Sequence, residues 1–480
     1  MGEAKRRGTP AARKTAAIKR HKREFVDSLG PRDPHHDRML RRGLDILLSK
    51  MRDGEWTARR AAIVAALQPL DEQGPELATA SPVRVQFDEI GWYMFLCEQA
   101  LEDPLCMDVS QAARALPFVH ALGRQLDYAV RVTGLDDKLR ELVTRYKSDP
   151  DGVIFEVLVA LAYAEQGWEV EMLPQVPPAK SPDLKVTRDG FEMFVECKRL
   201  SRRSDYGERE RNEFLRVWDA AKQALVQNGQ WIWFDARFHV EASALPTNFL
   251  LDIFTAKLPL AEGGEHLIYD GAEATIRARL IDRRRVALHF AQYQVKTPSA
   301  QLTVLLGDDW APPNSEVTML SLSKRSHILG CEADVLGTFI DTMSWACGIT
   351  RVFDAEQSIE RKARDVKRRL SEAVEQLPTD KPSIVHIALE TLEGADIERR
   401  RTEKIMGFMP EFATDKPVAA IRIHLIQANQ TVDKLWEIDE TVQRFQPAEL
   451  PLSMNGLIPL QVIVPMDTPM RDGAHWEIYR

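Results

Sequence analysis

Cysteine is scarce in this chain. The five present (Cys97, Cys106, Cys197, Cys331 and Cys347) are scattered and form no CxxC pair, which excludes the familiar zinc-ligand spacings and fits a reducing cytoplasm. Long apolar runs are missing as well. The nearest, VIFEVLVALAYA at 153–164, is shorter than the roughly 20 residues a membrane span needs and carries Glu156, so a non-membrane protein is expected. There is no glycine-rich phosphate loop of the P-loop type, no internal repeat, and no low-complexity segment beyond the N-terminal tail. Nor is positive charge in excess. The formal net charge of −8 argues against a wholly basic nucleic-acid binder while leaving room for local basic surfaces.

What the chain does have is length and an ordinary globular composition: 480 residues, 44% hydrophobic and 28% charged, too many for one compact core. Its first segment, MGEAKRRGTPAARKTAAIKRHKREF, sets nine Lys or Arg against two Glu and lacks the apolar stretch of a signal peptide. It reads as a basic, disordered tail over 1–33, with a tether to nucleic acid as the alternative. Helical periodicity follows. Leu40, Leu44, Leu47 and Met51 share a face, and TARRAAIVAALQPL, FDEIGWYMFLCEQALED, 110–133 and 136–147 are helical too, so 34–147 is expected to be an α-helical domain.

From 148 the order changes to helix, three strands, helix and strand, an α/β unit with a mixed sheet over 148–245. Residues 246–350 carry strand-like runs at ATIRARLI and LTVLLG and form a mixed insertion or accessory region. Residues 351–480 return to α/β order, with one long helix, SIERKARDVKRRLSEAVEQL, and the strands PSIVHIALE, AAIRIHLIQ and LQVIVP. This C-terminal α/β region either stands apart or completes the core of the preceding one.

The stretch SPDLKVTRDGFEMFVECKRL at 181–200 carries the chemistry. Leu184 and Val186 alternate in one strand and Phe191, Met193, Val195 and Cys197 in the next. Asp189-Gly190 between them signals a two-residue hairpin loop, because both loop positions need positive φ. That loop sets the register: Arg188 opposite Phe191, Val186 opposite Met193, Lys185 opposite Phe194, and Asp183 opposite Glu196. Like charges facing each other at about 4.5–5.5 Å destabilise a sheet unless something compensates. Lys198, on the same face as Glu196, is one compensation, and a hard divalent cation such as Mg²⁺ is a stronger one. Glu156, the only charged residue in the apolar run 153–164, is costly to bury alone and could join the same cluster from a helix packed on the sheet. The plain alternative is a salt-bridged surface hairpin, against which the apolar neighbours Phe194, Val195 and Leu200 count.

Glu156 on a leading helix, Pro182-Asp183 on the second strand, Glu196-Cys197-Lys198 on the third, then a helix and a strand, resemble the core of the PD-(D/E)XK nuclease superfamily over about 150–235. The resemblance implies a restriction-endonuclease-like mixed sheet and a Mg²⁺-dependent phosphodiesterase, with Mn²⁺ as a substitute. Asp183, Glu196 and the backbone carbonyl of Cys197 would hold the metal, Lys198 would position or activate the attacking water, and Glu156 would assist at the metal. It implies an endonuclease acting on DNA, in restriction or phage defence by analogy. Cleavage of RNA or branched DNA, and a catalytically inactive binding or assembly module, are the alternatives. A homodimer or an activating protein partner is compatible with each.

Arg199, Arg202 and Arg203, beside the motif, are candidate nucleic-acid contacts, with a solvated charged loop as the alternative. The basic helix face with Arg361, Lys362, Arg364, Lys367, Arg368 and Arg369 is either a nucleic-acid surface or an exposed face with acidic partners. Trp231 and Trp233 share a strand face and are expected in the core, and His35-His36-Asp37 lacks a third metal ligand at helical spacing.

Overall fold

A computed structural model describes residues 34–71, 85–175, 181–200, 205–297, 299–308, 316–363, 366–429, 436–446, 456–465, 468 and 473–477. The basic tail 1–33 and Arg202, Arg203 and Arg364 lie outside the described residues. Helices come first: α1 (Pro34–Leu48), α2 (Glu55–Asp71), α3 (Glu89–Glu102), α4 (Val109–Gln125) and, after a two-residue strand β1 (Val132–Thr133), α5 (Leu135–Thr144). Asp88 and Asp108 cap α3 and α4, accepting from the amides of Gly91 and Gln111. Glycine lets α1 and α4 cross with backbones nearly touching. A Cβ on Gly123 would stand 1.9 Å from the Met39 carbonyl oxygen, and one on Gly43 2.0 Å from that of Val119. The helix expected over 110–133 ends sooner, at Gln125; a 3₁₀ turn over Leu126–Arg131 then delivers Val132 to pair with Val170 at a sheet edge.

Next come α6 (Asp151–Glu165), β2 (Glu169–Met172), β3 (Leu184–Arg188), β4 (Phe191–Arg199), α7 (Asp205–Asn228), β5 (Ile232–Phe238), α8 (Phe249–Lys257), β6 (Glu265–Asp270), β7 (Ala274–Leu280), α9 (Arg283–Phe290), β8 (Val295–Lys296) and α10 (Ala300–Gly307). The chain continues with β9 (Glu316–His327), β10 (Thr338–Phe353), α11 (Glu356–Lys362), α12 (Val366–Gln376), β11 (Ser383–Glu390), α13 (Ala395–Phe408), β12 (Val418–Asn429) and β13 (Glu437–Phe445).

Two mixed sheets result. The first has the order β1-β2-β3-β4-β11-β12-β13, parallel at β1/β2, β4/β11 and β11/β12. The second has the order β6-β7-β5-β10-β8, with β9 also on β10 and β5 parallel to β10. One hydrophobic cluster runs from α1–α6 across a face of the first sheet. The other face packs Leu370, Ala373 and Ile405 of α12 and α13. Within the first cluster, between the preceding helices and the sheet, α6 is buried at every position from Val153 to Ala164 except Glu156, which is why its apolar residues show no single stripe. Around the second sheet pack Phe214 and Trp218 of α7 and the strand residues Trp233, Phe234 and Phe238. Trp231 and Trp233 are both buried there, as their pattern anticipates. Among the described residues no helix is long and apolar enough to cross a membrane.

Four expectations need correction. The strand expected to finish the sheet over 148–245, Ile232–Phe238, lies in the second sheet, and the neighbour of β4 is β11, reached after the whole excursion from α7 to α12. LTVLLG is helical, because Ser299 caps it by accepting from the Leu302 amide and Leu302 and Leu306 bury one face. LQVIVP is not a strand: the amides of Val462, Ile463 and Val464 all turn to the buried carboxylate of Glu440. The long helix over 358–377 is two, since Lys404 Nζ takes the Glu360 and Ala363 carbonyls at 2.9 and 2.8 Å and closes α11 from outside. The structure also joins Cys106 to Cys331 in a disulfide with Cα atoms 5.7 Å apart, a pairing across 225 residues that the scattered cysteines did not announce.

Candidate active site

The hairpin that carries the motif forms in the expected register. Leu184 faces Val195, Val186 faces Met193 and Arg188 faces Phe191, with Asp189 and Gly190 at φ 50° and 79° in the turn. The regular register ends at Leu184, because the Asp183 amide donates at 3.1 Å to the carbonyl of Val195, the residue Leu184 already faces; this offset leaves Asp183 beside the Val195–Cys197 stretch and not directly across from Glu196 as the hairpin count expects. On the other edge of β4, Phe194 and Leu200 donate to the Pro382 and Ala388 carbonyls. By the alternation of the strand, Cys197 therefore directs its amide and carbonyl toward Asp183. Its amide indeed donates to Asp183 Oδ2 at 2.8 Å, while Gln175 Nε2 donates to Oδ1 at 3.2 Å.

Glu196 is fully buried. Its Oε1 is bonded by the Lys198 ammonium, whereas Oε2 is buried with no hydrogen-bond partner among the described residues. Burial, then the Asp183 charge, pushes Glu196 up to about 9. Glu156 approaches from α6 and is raised to about 7 for the same two reasons. Asp183 is raised by burial in spite of the Cys197 amide and the lysines. Lys198 is held charged above its usual range: burial opposes this, but the Glu196 and Asp183 carboxylates outweigh it. Asp183, Glu196, Lys198 and Glu156 are thus brought into one electrostatic cluster. The unpaired Glu196 oxygen beside Asp183 is the kind of donor set a hard divalent cation takes, so the residues present fit one.

Comparison with family models, curated proteins and solved structures finds no match.

One member of the cluster escaped sequence reasoning. Lys138 of α5 sets Nζ 2.5 Å from Glu156 Oε2, a charge contact lying off the line of a hydrogen bond. Lys138 sits at the margin of the stripe made by Leu135, Leu139 and Leu142, and only the packing of α5 on α6 turns it toward Glu156.

Arg199 does not serve as expected. Its side chain is 2% exposed, with the guanidinium 2.5 Å from Glu390 Oε1 and 4.5 Å over the Phe118 ring, so its charge is committed to Glu390 and not held out to solvent. Arg202 and Arg203 lie outside the described residues. The basic helix face has acidic partners: Arg361 pairs with Glu241 at 2.8 Å, Arg369 with Glu372 at 2.7 Å, and buried Lys362 with Glu210.

Proposed function

We propose that this protein is a metal-dependent endonuclease that hydrolyses phosphodiester bonds in DNA, acts in the cytoplasm, and serves restriction or phage defence. The observation that carries the reading is Glu196: fully buried, one oxygen bonded by Lys198, the other without a hydrogen-bond partner among the described residues, and the Asp183 charge close by. A Mg²⁺ ion bound by Asp183, Glu196 and the Cys197 carbonyl would supply charge stabilisation at the phosphoryl oxygens and a water of lowered pKa. The chain's own contribution is positioning. The Cys197 amide orients the Asp183 carboxylate, Glu196 fixes the Lys198 ammonium, and Lys198 is aimed to hold a water or a phosphate oxygen as a point charge. Glu156, paired with Lys138, closes the cluster from α6.

The test is incubation of the wild type and Lys198→Ala with supercoiled plasmid, linear duplex, single-stranded DNA and RNA, each with Mg²⁺, Mn²⁺ or EDTA. Circular dichroism checks the fold of the variant. Metal-dependent cutting of duplex DNA, reduced about 10²–10⁴-fold in the variant, is expected. Cutting confined to RNA would overturn the substrate, and absence of both cutting and ion binding would overturn the nuclease reading.

A further inference from the structure

The three carboxylates of the cluster are not equivalent. Glu196 has the ammonium of Lys198 on one oxygen, and Glu156 has that of Lys138. Among the described residues Asp183 has no ammonium within ion-pair distance; it takes amide donors from Cys197 and Gln175. Lys138 does not belong to the α/β core that carries the motif. It comes from α5, in the helical segment before it, and its side chain is 14% exposed against 17% for Glu156. A cation held that closely, in a half-buried setting, occupies the space beside Glu156 Oε2 where a second metal ion would have to coordinate.

Resting on the nuclease reading, we infer that Lys138 takes the place of a second metal ion at Glu156, so the site binds a single divalent cation between Asp183 and Glu196. Charge supports this. Three carboxylates face two ammonium groups, which leaves a deficit of one positive charge. One divalent ion covers that deficit and leaves a positive centre for a phosphodiester; a second beside Lys138 would crowd like charges a few ångströms apart, where repulsion in a buried setting is strong. Lys138 is a positioning residue in this scheme. It also makes the helical segment a necessary part of the site, because the α/β elements alone leave Glu156 uncovered.

The experiment counts Mn²⁺ by calorimetry and by electron paramagnetic resonance on the full chain, in the wild type, Lys138→Met, Lys138→Arg and Lys138→Met/Glu156→Gln. One ion per chain is expected in the wild type and in Lys138→Arg. Lys138→Met, which empties the space beside Glu156 at similar side-chain length, should bind two, and adding Glu156→Gln should return it to one. Because Lys138→Arg keeps a cation in place, it separates loss of charge from loss of packing. Two ions in the wild type, or one in Lys138→Met, would overturn the inference while the nuclease reading stands. No ion in the wild type would sink both.

Discussion

The backbone N–H of Cys197 donates to Asp183 Oδ2 at 2.8 Å, tying β4 to the side chain of the residue that leads into β3. Asparagine at 183 keeps an oxygen for that donor but removes the charge that, after burial, most holds Glu156 and Glu196 above their usual range. Without metal the cluster is strained by its own repulsion, and sites of that kind gain stability when a charge is deleted. Asp183→Asn is therefore expected to be more stable than the wild type in EDTA, by roughly 1–2 kcal/mol, and so to unfold at a higher temperature. It should also lose the rise in melting temperature that Mg²⁺ gives the wild type. Thermal unfolding of both proteins in EDTA and in Mg²⁺ checks this; a variant less stable than the wild type in EDTA would contradict the repulsion.

The same carboxylates set a pH dependence. Burial first and the Asp183 charge next raise Glu156 from 4.5 to about 7 and Glu196 from 4.5 to about 9. Groups raised on folding bind protons more tightly in the native state, so the stability they confer is complete below about 4.5 and is lost as pH climbs through 7 and then 9. In EDTA the melting temperature should fall between pH 6 and 8.5. In Mg²⁺ the fall should flatten or reverse, because ligands must be deprotonated to bind and alkaline pH strengthens the metal site. A metal-free melting temperature that is flat over this range would count against the buried cluster.

The parts legible in the sequence were those set by local chemistry. Asp189-Gly190 dictates a tight turn and the turn dictates register from Arg188 to Leu184, which brings Asp183 near Glu196; the one-residue offset at Asp183 has no signal in the hairpin pattern. Strand partners are not local. Ile232–Phe238 and Ser383–Glu390 each follow an amphipathic helix, and either would serve beside β4. The distinguishing signal is burial. β11 is buried at all eight positions, as a central parallel strand must be, whereas β5 leaves Asp235 and Arg237 less covered. Lys138 and the wrapping of 462–464 around Glu440 depend on contacts across 18 and more than 20 residues, and periodicity carries no trace of either.

Thiol counting tests the Cys106–Cys331 link. Cys97, Cys197 and Cys347 are free and buried, so native protein should resist alkylation at all three. In denaturant without reductant, three thiols should react, and with reductant all five cysteines of the chain. Mass spectrometry of the alkylated chain reads the number directly. Five reactive thiols in unreduced protein purified without reductant would mean that the pair is a dithiol in solution, as a cytoplasmic setting favours.

Glu390 is where the helices meet the sheet. Arg114 of α4 grips it with two bonds of 2.8 Å, and Arg199 at the end of β4 adds one of 2.5 Å; Arg114 also reaches Asp151, the first residue of α6, at 2.5 Å. All these side chains are at most 15% exposed. Glu390→Ala leaves two buried guanidinium groups with too little negative charge, and breaking one side of such a buried network costs about 3–5 kcal/mol. Glu390→Gln keeps an acceptor and should cost less. Glu171→Ala, which removes a half-exposed partner 4.0 Å from Lys185, should change stability by under about 0.5 kcal/mol. Urea unfolding ranks the three. Because Arg199 adjoins Lys198 and Asp151 lies one turn and a fraction before Glu156 on α6, Glu390→Ala should also weaken Mn²⁺ binding by the folded protein. A loss near that of Glu171→Ala would show that the apolar contacts of α4 and α6, and not this charge network, hold the helices to the sheet.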